Sequence, residues 1–570
     1  MLIEKKRDIS LVLCGQAGQG IQTVEFLLTR IFKHAGFNVF ATKEYMSRVR
    51  GGMNSISIRI SSSPVCACVR KIDLLAALNK GAIKHVEERI SPQTVILGDG
   101  KTIGNKLENK MYEFIDVPFV KKALEIGDKI YSNVVAVGVI TGLFKIESEL
   151  VYKYIKQYFA VKSDEITGKN LQASQAGYIL GAELSKSLKI NINQDPNVRE
   201  QILLSGTESI ALGAIAGGCN FISAYPMSPS TGVLAFCAKQ SENFAIIAEQ
   251  AEDEIAAINM AIGAWYAGAR AMVTTSGGGF ALMTEGLSLA AMLEMPIVIH
   301  LAQRPGPATG LPTRTEQADL ELALYAGHGE FPRIILAPGK IEDGFYLTQR
   351  AFNLADKYQV PVFILSDQYF VDSYYNIDSF DLSAINIEKH IIETDAAYKR
   401  YVLTEDGISP RGIPGFGKGL VAVDSDEHDQ EGHITEDLKL RAKMVDKRLK
   451  KTELIENETI APQLIGPENY KTLALCWGST YHIAKETLKA ISQSDISLLH
   501  FKQVYPLPRQ TSDYLKRAEK IVVVENNASA QFARLIKLQT GVEIENRILK
   551  YNGLSFTVEE LSEQLQEFLN

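Results

Sequence analysis

Apolar residues along this chain fall into two kinds of block: short continuous runs, and longer stretches in which they return at the helical period. Residues 221–329 carry the densest alternation of the two. Ala245–Ala248, Ala271–Thr275 and Ile297–Leu301 read as strands, and the stretches between them, such as Ile255–Gly268, have helical spacing. Strand, helix, strand, helix, strand in this order predicts a parallel sheet covered by helices. The same pattern recurs near the start (ISLVLCG, then IQTVEFLLTRIFKHAG) and near the end (TLALCWGST, ISLLHFKQVYPLP, IVVVENNASAQFARLI). The fold class expected is therefore α/β, in three α/β domains. A polar, proline-containing stretch, Asn191–Val198, reads as a linker, and a helix of small residues is expected to open the next domain over Ile202–Gly218. The expected boundaries are 1–190, 199–380, a connecting segment 381–465, and 466–570.

In open α/β sheets, ligands bind at the carboxyl ends of the strands. Here that end holds Glu249, Glu252, Asp253 and Glu254, placed before the helix. Acids favour the first turn of a helix for its dipole alone. Glu254 differs from its neighbours because it shares a face with Ile258, Ala261 and Trp265, so packing is expected to desolvate it.

With 570 residues the chain exceeds one core. Its 46% hydrophobic and 22% charged residues are those of an ordinary globular protein, and a net charge of −7 with no long basic run argues against nucleic acid. No apolar run reaches the length of a membrane span, and Ile9–Cys14 is too short for a signal peptide, so a cytoplasmic location is expected. The six cysteines, Cys14, Cys66, Cys68, Cys219, Cys237 and Cys476, offer no spacing suited to an iron–sulfur cluster and read as small buried hydrophobes. Any cluster would have to sit on another chain. His428, Asp429, Glu431 and His433 match no standard zinc spacing and read as part of a solvated loop, so no metal site is expected.

The turn Gly15-Gln-Ala-Gly18-Gln-Gly20 precedes a helix, which makes it an anion site in principle, but Ala17 breaks the dinucleotide fingerprint. Arg48, Arg50, Gly51 and Gly52 form a basic loop able to meet a phosphate, or merely a solvated turn. Gly98-Asp99-Gly100 reads as a turn after TVIL, with no asparagine at the spacing a diphosphate–magnesium motif requires.

The strings YPMSPST, EDEIAAI, IGAWYAGARA, TSGGGF, QRPGPATGLPT, EQADL and GHGEFPR, in this order, resemble the pyrimidine-binding domain of 2-oxoacid:ferredoxin oxidoreductases. GFNVFATKEYMSRVRGGMNSISIRIS and YSNVVAVG resemble the family's gamma domain, and 466–570 is similar to its transketolase C-terminal type domain. Two positions depart from the family pattern: Ser228 replaces a threonine and Gly278 a proline. The resemblance implies a fused gamma–alpha subunit of a thiamine diphosphate enzyme. It assigns Glu254 to the aminopyrimidine, Tyr225 and Pro226 to cofactor binding, Ser228 and Tyr225 to the surroundings of the substrate carbonyl and Arg304 to the 2-oxoacid carboxylate. Arg314 is a candidate for a second carboxylate, as 2-oxoglutarate would bring, and Gly18 and Arg50 for coenzyme A. A beta subunit is implied to supply Mg²⁺ and a [4Fe-4S] cluster, with ferredoxin as acceptor and a heterodimer or dimer of heterodimers as assembly. Pyruvate or a branched-chain 2-oxoacid is the near alternative. Half of a non-redox thiamine enzyme, or an inert scaffold, is the more distant one.

Overall fold

A computed structural model describes residues 7–16, 20–47, 52–103, 112–491 and 494–570. The chain divides into two compact units. The first comprises 1–204, 372–379 and 557–560, and the second comprises 205–371, 380–556 and 561–570.

The first unit is built on a mixed sheet with strands β1 (Asp8–Gln16), β2 (Asn38–Glu44), β3 (Met53–Ser61), β4 (Leu74–Ala77), β5 (Val95–Gly98), β6 (Glu113–Asp116), β7 (Ile202–Ser205) and β14 (Tyr374–Ile377). Their order is β6-β5-β4-β1-β3-β2-β14-β7. β1 runs parallel to β4 and antiparallel to β3. Helix α1 (Ile21–Ala35) buries Val24, Leu27, Leu28, Ile31 and Phe32 in this unit's core, which follows from its apolar face. Gly98-Asp99-Gly100 is a turn: Asp99 Oδ1 accepts from the Lys101 and Thr102 amides. Ile202–Ser205 corrects the expectation of a helix from Ile202, because these residues form a strand first. Helix α2 (Gly206–Ala216) starts only where Ser205 and Glu208 make a reciprocal capping box.

The second unit holds two sheets with one continuous core. The larger consists of β8 (Phe221–Ala224), β9 (Ile247–Gln250), β10 (Ala271–Thr275), β11 (Ile297–Gln303), β12 (Ile334–Leu336), β13 (Pro361–Asp367) and β18 (Gln503–Tyr505), in the order β18-β12-β13-β11-β10-β8-β9. Strands β8 to β13 are parallel. The smaller has the order β15-β17-β16-β19-β20, with β15 (Gln463–Ile465), β16 (Thr472–Trp477), β17 (Ile496–Phe501), β19 (Lys520–Glu525) and β20 (Asn546–Leu549). β18 follows β17 in the chain but pairs antiparallel with β12, so one short segment joins both sheets. The α/β class with three sheets is as expected. β9 begins two residues later than the apolar run suggested, because Ser241–Phe244 is a helical turn ended by Ala245 in the left-handed region.

Residues 381–437 have little regular structure, yet they are not simply solvated. His428 is fully buried, its ring 3.8 Å from that of Tyr401, with Nδ1 3.0 Å from the Asp426 carbonyl. That corrects the reading of this run as a solvated loop. Among the described residues no group of three or more His, Cys, Asp or Glu is arranged to hold a metal, and no helix is long and apolar enough to cross a membrane. Cys14, Cys219, Cys237 and Cys476 are buried, and burial pushes the Cys14, Cys237 and Cys476 thiols up to about 12. Cys66 and Cys68 are half-buried. The charged helix Leu438–Asn457 buries Lys447 and Lys451, both paired with the buried Glu294. Glu294→Gln leaves two buried cations without their anion and is expected to cost about 3–5 kcal/mol of stability. An unchanged thermal midpoint in that variant would contradict this account of the helix.

Candidate active site

The site is assembled where the parallel strands of the larger sheet end. Helix α3 (Glu254–Tyr266) begins after Asp253, whose side chain caps it by accepting from the Ala256 amide at 2.8 Å. Glu249, Glu252 and Asp253 are exposed, whereas Glu254 is 3% exposed and shares its buried face with Ile258, Ala261 and Trp265. Its Oε1 is buried and has no hydrogen-bond partner among the described residues. A buried carboxylate oxygen normally has a donor, so this one faces a place that a ligand's donor can fill.

The first turn of the short helix Gly277–Leu282, which follows β10, explains how the backbone passes Glu254. A Cβ on Gly279 would lie 2.5 Å from Glu254 Oε1 and 2.3 Å from Thr275 Oγ1. One on Gly277 would lie 2.4 and 2.6 Å from the two carboxylate oxygens of Asp319. Gly278 between them has more space, with the Ala308 carbonyl 3.6 Å away as its nearest neighbour. The Gly277–Gly279 turn thus runs between two carboxylates, and only glycine fits at its outer positions.

Arg304 follows β11 directly and is 9% exposed. Its Nη1 donates to the Ser228 carbonyl at 2.6 Å, while its Nε is buried with no partner among the described residues. Burial draws its pKa below the usual range and Asp319 opposes the effect. Ser276, preceding the glycine turn, also has a buried hydroxyl with no partner among the described residues. The carboxylates of Glu254 and Asp319 thus lie against one glycine turn preceded by Ser276, and Arg304 interacts electrostatically with Asp319.

This chain resembles known proteins over nearly its whole length. Residues 212–447 match the family model described as "Pyruvate flavodoxin/ferredoxin oxidoreductase, thiamine diP-bdg", and residues 10–180 match "Pyruvate ferredoxin/flavodoxin oxidoreductase". A 2-oxoacid:ferredoxin oxidoreductase subunit alpha from a Sulfolobus species is 33% identical, with 98% of this chain and 96% of that one aligned. The chain is an alpha subunit of the 2-oxoacid:ferredoxin oxidoreductase family. A solved 2-oxoglutarate:ferredoxin oxidoreductase from Magnetococcus marinus, with 2-oxoglutarate, coenzyme A and succinyl-CoA bound, superimposes with a TM-score of 0.92 at 30% identity. That match covers 99% of this chain and 100% of the other. The 2-oxoglutarate synthase subunit KorA of Archaeoglobus fulgidus is 34% identical over 58% of this chain and 89% of its own.

The thiamine diphosphate-binding model spans the site, and the donor set fits the pyrimidine half of that cofactor: a buried carboxylate oxygen awaiting a donor, beside a glycine cradle. Of the residues singled out in the sequence, Ser228 and Arg304 are joined by a hydrogen bond, and these two and Glu254 all follow the carboxyl ends of parallel strands of the larger sheet. Tyr225, 42% exposed, and half-buried Pro226 lie in the same loop as Ser228. Arg314 is half-buried, and the stem of its side chain covers Gly553, whose added Cβ would lie 3.2 Å from Arg314 Cβ. Gly18 and Arg50 lie outside the described residues. Nearby, Gly20 adopts a left-handed conformation and its carbonyl accepts from Asn133 at 3.3 Å.

Sequence reasoning gave no role to Gln317 or Asp319, although both lie in the EQADL string. Gln317 is fully buried, and its side chain donates to the Trp477 carbonyl at 2.9 Å and accepts from the Asn526 amide at 3.0 Å. It ties the segment after Arg304 to the smaller sheet. The Asp319 amide donates to Gln303 Oε1 at 2.9 Å. Burial raises the Asp319 carboxyl to about 6, and burial with Asp319 raises that of half-buried Glu316 to about 7. The signal available in the sequence was an aspartate set between the apolar residues Ala318 and Leu320.

Gly279→Ala would push Glu254 out of place, and a displacement of about 1 Å at a reacting centre can cost about 100-fold in rate. The variant is expected to lose turnover on that scale, with Gly278→Ala retaining most of it. Equal activities in the two would show that the close approach at Gly279 does not matter.

Proposed function

We propose that this subunit serves the oxidative decarboxylation of 2-oxoglutarate to a coenzyme A thioester, with electrons passed to ferredoxin. The observation that carries the reading is the buried, unpartnered Oε1 of Glu254 at the head of its helix. Bound against it, thiamine diphosphate supplies the nucleophilic and electron-accepting chemistry of 2-oxoacid decarboxylation. Glu254 accepts a hydrogen bond from the aminopyrimidine and so holds the proton that sets its tautomer. Arg304 binds the 2-oxoacid carboxylate, which suits a desolvated guanidinium with a free Nε–H. Ser228 offers its hydroxyl to the substrate carbonyl, and Tyr225 and Pro226 flank the cofactor.

The choice of 2-oxoglutarate is supported by the substrates named for the Magnetococcus marinus enzyme and by the names of the KorA relatives. Arg314 is the candidate for the second carboxylate. Residues 1–190, including Gly18 and Arg50, are assigned to coenzyme A and to closure, 199–380 to the pyrimidine, 381–465 to the connection, and 466–570 to support of the site. A beta subunit carries Mg²⁺, the cofactor's diphosphate and a [4Fe-4S] cluster, and the pair works in the cytoplasm as a heterodimer or a dimer of heterodimers.

An anaerobic assay of the assembled complex, with coenzyme A and a panel of 2-oxoacids, tests the reading. Ferredoxin reduction is expected to depend on coenzyme A and to be fastest with 2-oxoglutarate. Preference for pyruvate or a branched-chain acid would reject the substrate, and no reduction with any acid would reject the reaction. Glu254→Gln is expected to lower turnover by at least about 100-fold, the scale of a lost proton-handling group, while the complex still assembles. Near-normal turnover would remove Glu254 from its role.

A further inference from the structure

We infer that Asp319 is a positioning residue for Arg304, and that its carboxyl takes up a proton when a 2-oxoacid carboxylate binds there. The inference rests on the reading of Arg304 as the carboxylate-binding residue.

Asp319 stands at the cap of the helix Leu320–Tyr325, where an aspartate ordinarily accepts from the first free amides, yet its side chain makes no cap hydrogen bond. The carboxylate is turned instead onto the glycine turn, close enough that both oxygens exclude a Cβ at Gly277. Oδ2 is buried and has no hydrogen-bond partner among the described residues. The backbone fixes this placement, since the Asp319 amide is held by Gln303, the residue immediately before Arg304. Gln317, two residues earlier, is anchored on both Trp477 and Asn526. Asp319 and Arg304 influence each other's charge, but no ion pair within 4.0 Å joins them among the described residues. A guanidinium with a buried free Nε–H and a carboxylate with a buried free oxygen thus face one site without saturating each other.

The charged groups around Asp319 are few. Arg304 comes from the end of β11, Glu316 from the same segment as Asp319, and Glu254 from the head of α3 across the glycine turn. An incoming carboxylate adds a negative charge to a desolvated place that already holds three carboxyls and one guanidinium. Like charges in a poorly solvated site favour protonation of one of them. Asp319 is the best placed to accept, because it alone of the three combines a buried free oxygen against the glycine turn with a charge interaction with Arg304. Burial already brings its carboxyl up to about 6; Glu316, raised to about 7, has no such interaction with Arg304. Substrate binding then carries a proton with it and tightens as pH falls. The unpartnered Oδ2 becomes an O–H donor, and Arg304 keeps its full charge for the substrate.

The test is the KM of the assembled holoenzyme for 2-oxoglutarate between about pH 6 and about pH 8.5. In the natural enzyme KM is expected to rise with pH, approaching the limit of about tenfold per unit set by one linked proton. Asp319→Asn should flatten that dependence and give a lower KM than the natural enzyme at the alkaline end. Glu316→Gln should keep the slope. A slope retained in Asp319→Asn, or lost only in Glu316→Gln, overturns the inference. A second measurement needs no variant: calorimetric titration of the holoenzyme near pH 7 with the non-reacting analogue 2-hydroxyglutarate, in two buffers of different ionisation enthalpy. Net proton uptake is expected, and none would overturn the inference. Arg304→Lys separates the two readings. An unchanged KM in that variant removes the carboxylate site itself, whereas a raised KM alongside an unchanged slope in Asp319→Asn removes only the role of Asp319.

Discussion

A carboxylate held out of water at the end of a parallel sheet is the constraint around which the second unit is arranged. Burying such a group without a donor is costly, and native proteins avoid it unless something else completes the site. Glu254 is held there by several independent features. Asp253 caps the helix in its place, the apolar face through Trp265 anchors the helix to the core, and Gly279 lets the next turn approach. Trp265 is itself fixed by its Nε1–H donating to the Ala271 carbonyl at 2.8 Å, so helix and strand move as one. None of these features is needed merely to fold an α/β layer. All of them serve to place one oxygen.

The second half of the arrangement is the segment that leaves β11. It starts at Arg304 and ends at Asp319, and it is pinned where it meets the smaller sheet. Thr315 donates its amide to the Gly553 carbonyl at 3.1 Å and its hydroxyl to Asp367 at 3.2 Å, and Asp367 also accepts from Ser479. Gln317 exchanges hydrogen bonds with Asn526 and donates to the Trp477 carbonyl. Glu525, fully buried, accepts from the Phe532 and Ala533 amides and from Asn527, which stiffens the strand end those contacts rely on. The smaller sheet therefore contributes rigidity to a site whose reacting groups lie on the larger one. This division accords with the need to hold charged groups to fractions of an ångström.

Much of this was legible in the sequence, because it rests on local periodicity. The strand Ala271–Thr275 has the bounds its apolar run suggests, and the burial of Glu254 follows from its i, i+4, i+7 and i+11 neighbours. The helix starting at Gly206 was legible in principle from Ser205 and Glu208, but apolar content outweighed the capping pattern. What stayed hidden depends on partners far along the chain. The burial of His428 against Tyr401, the pairing of Lys447 and Lys451 with Glu294, and the ties from Gln317 to Asn526 all join residues that no periodicity relates. For Asp319 the local signal was misleading, since an aspartate before a helix ordinarily reads as its cap.

The most direct measurement of the central claim is an experimental structure of this chain assembled with the proposed beta subunit and thiamine diphosphate. The account predicts Glu254 Oε1 within hydrogen-bonding distance of the aminopyrimidine ring, with Arg304 facing the reacting side of the cofactor. A pyrimidine held by other groups, with Glu254 Oε1 satisfied by a protein donor, would contradict it.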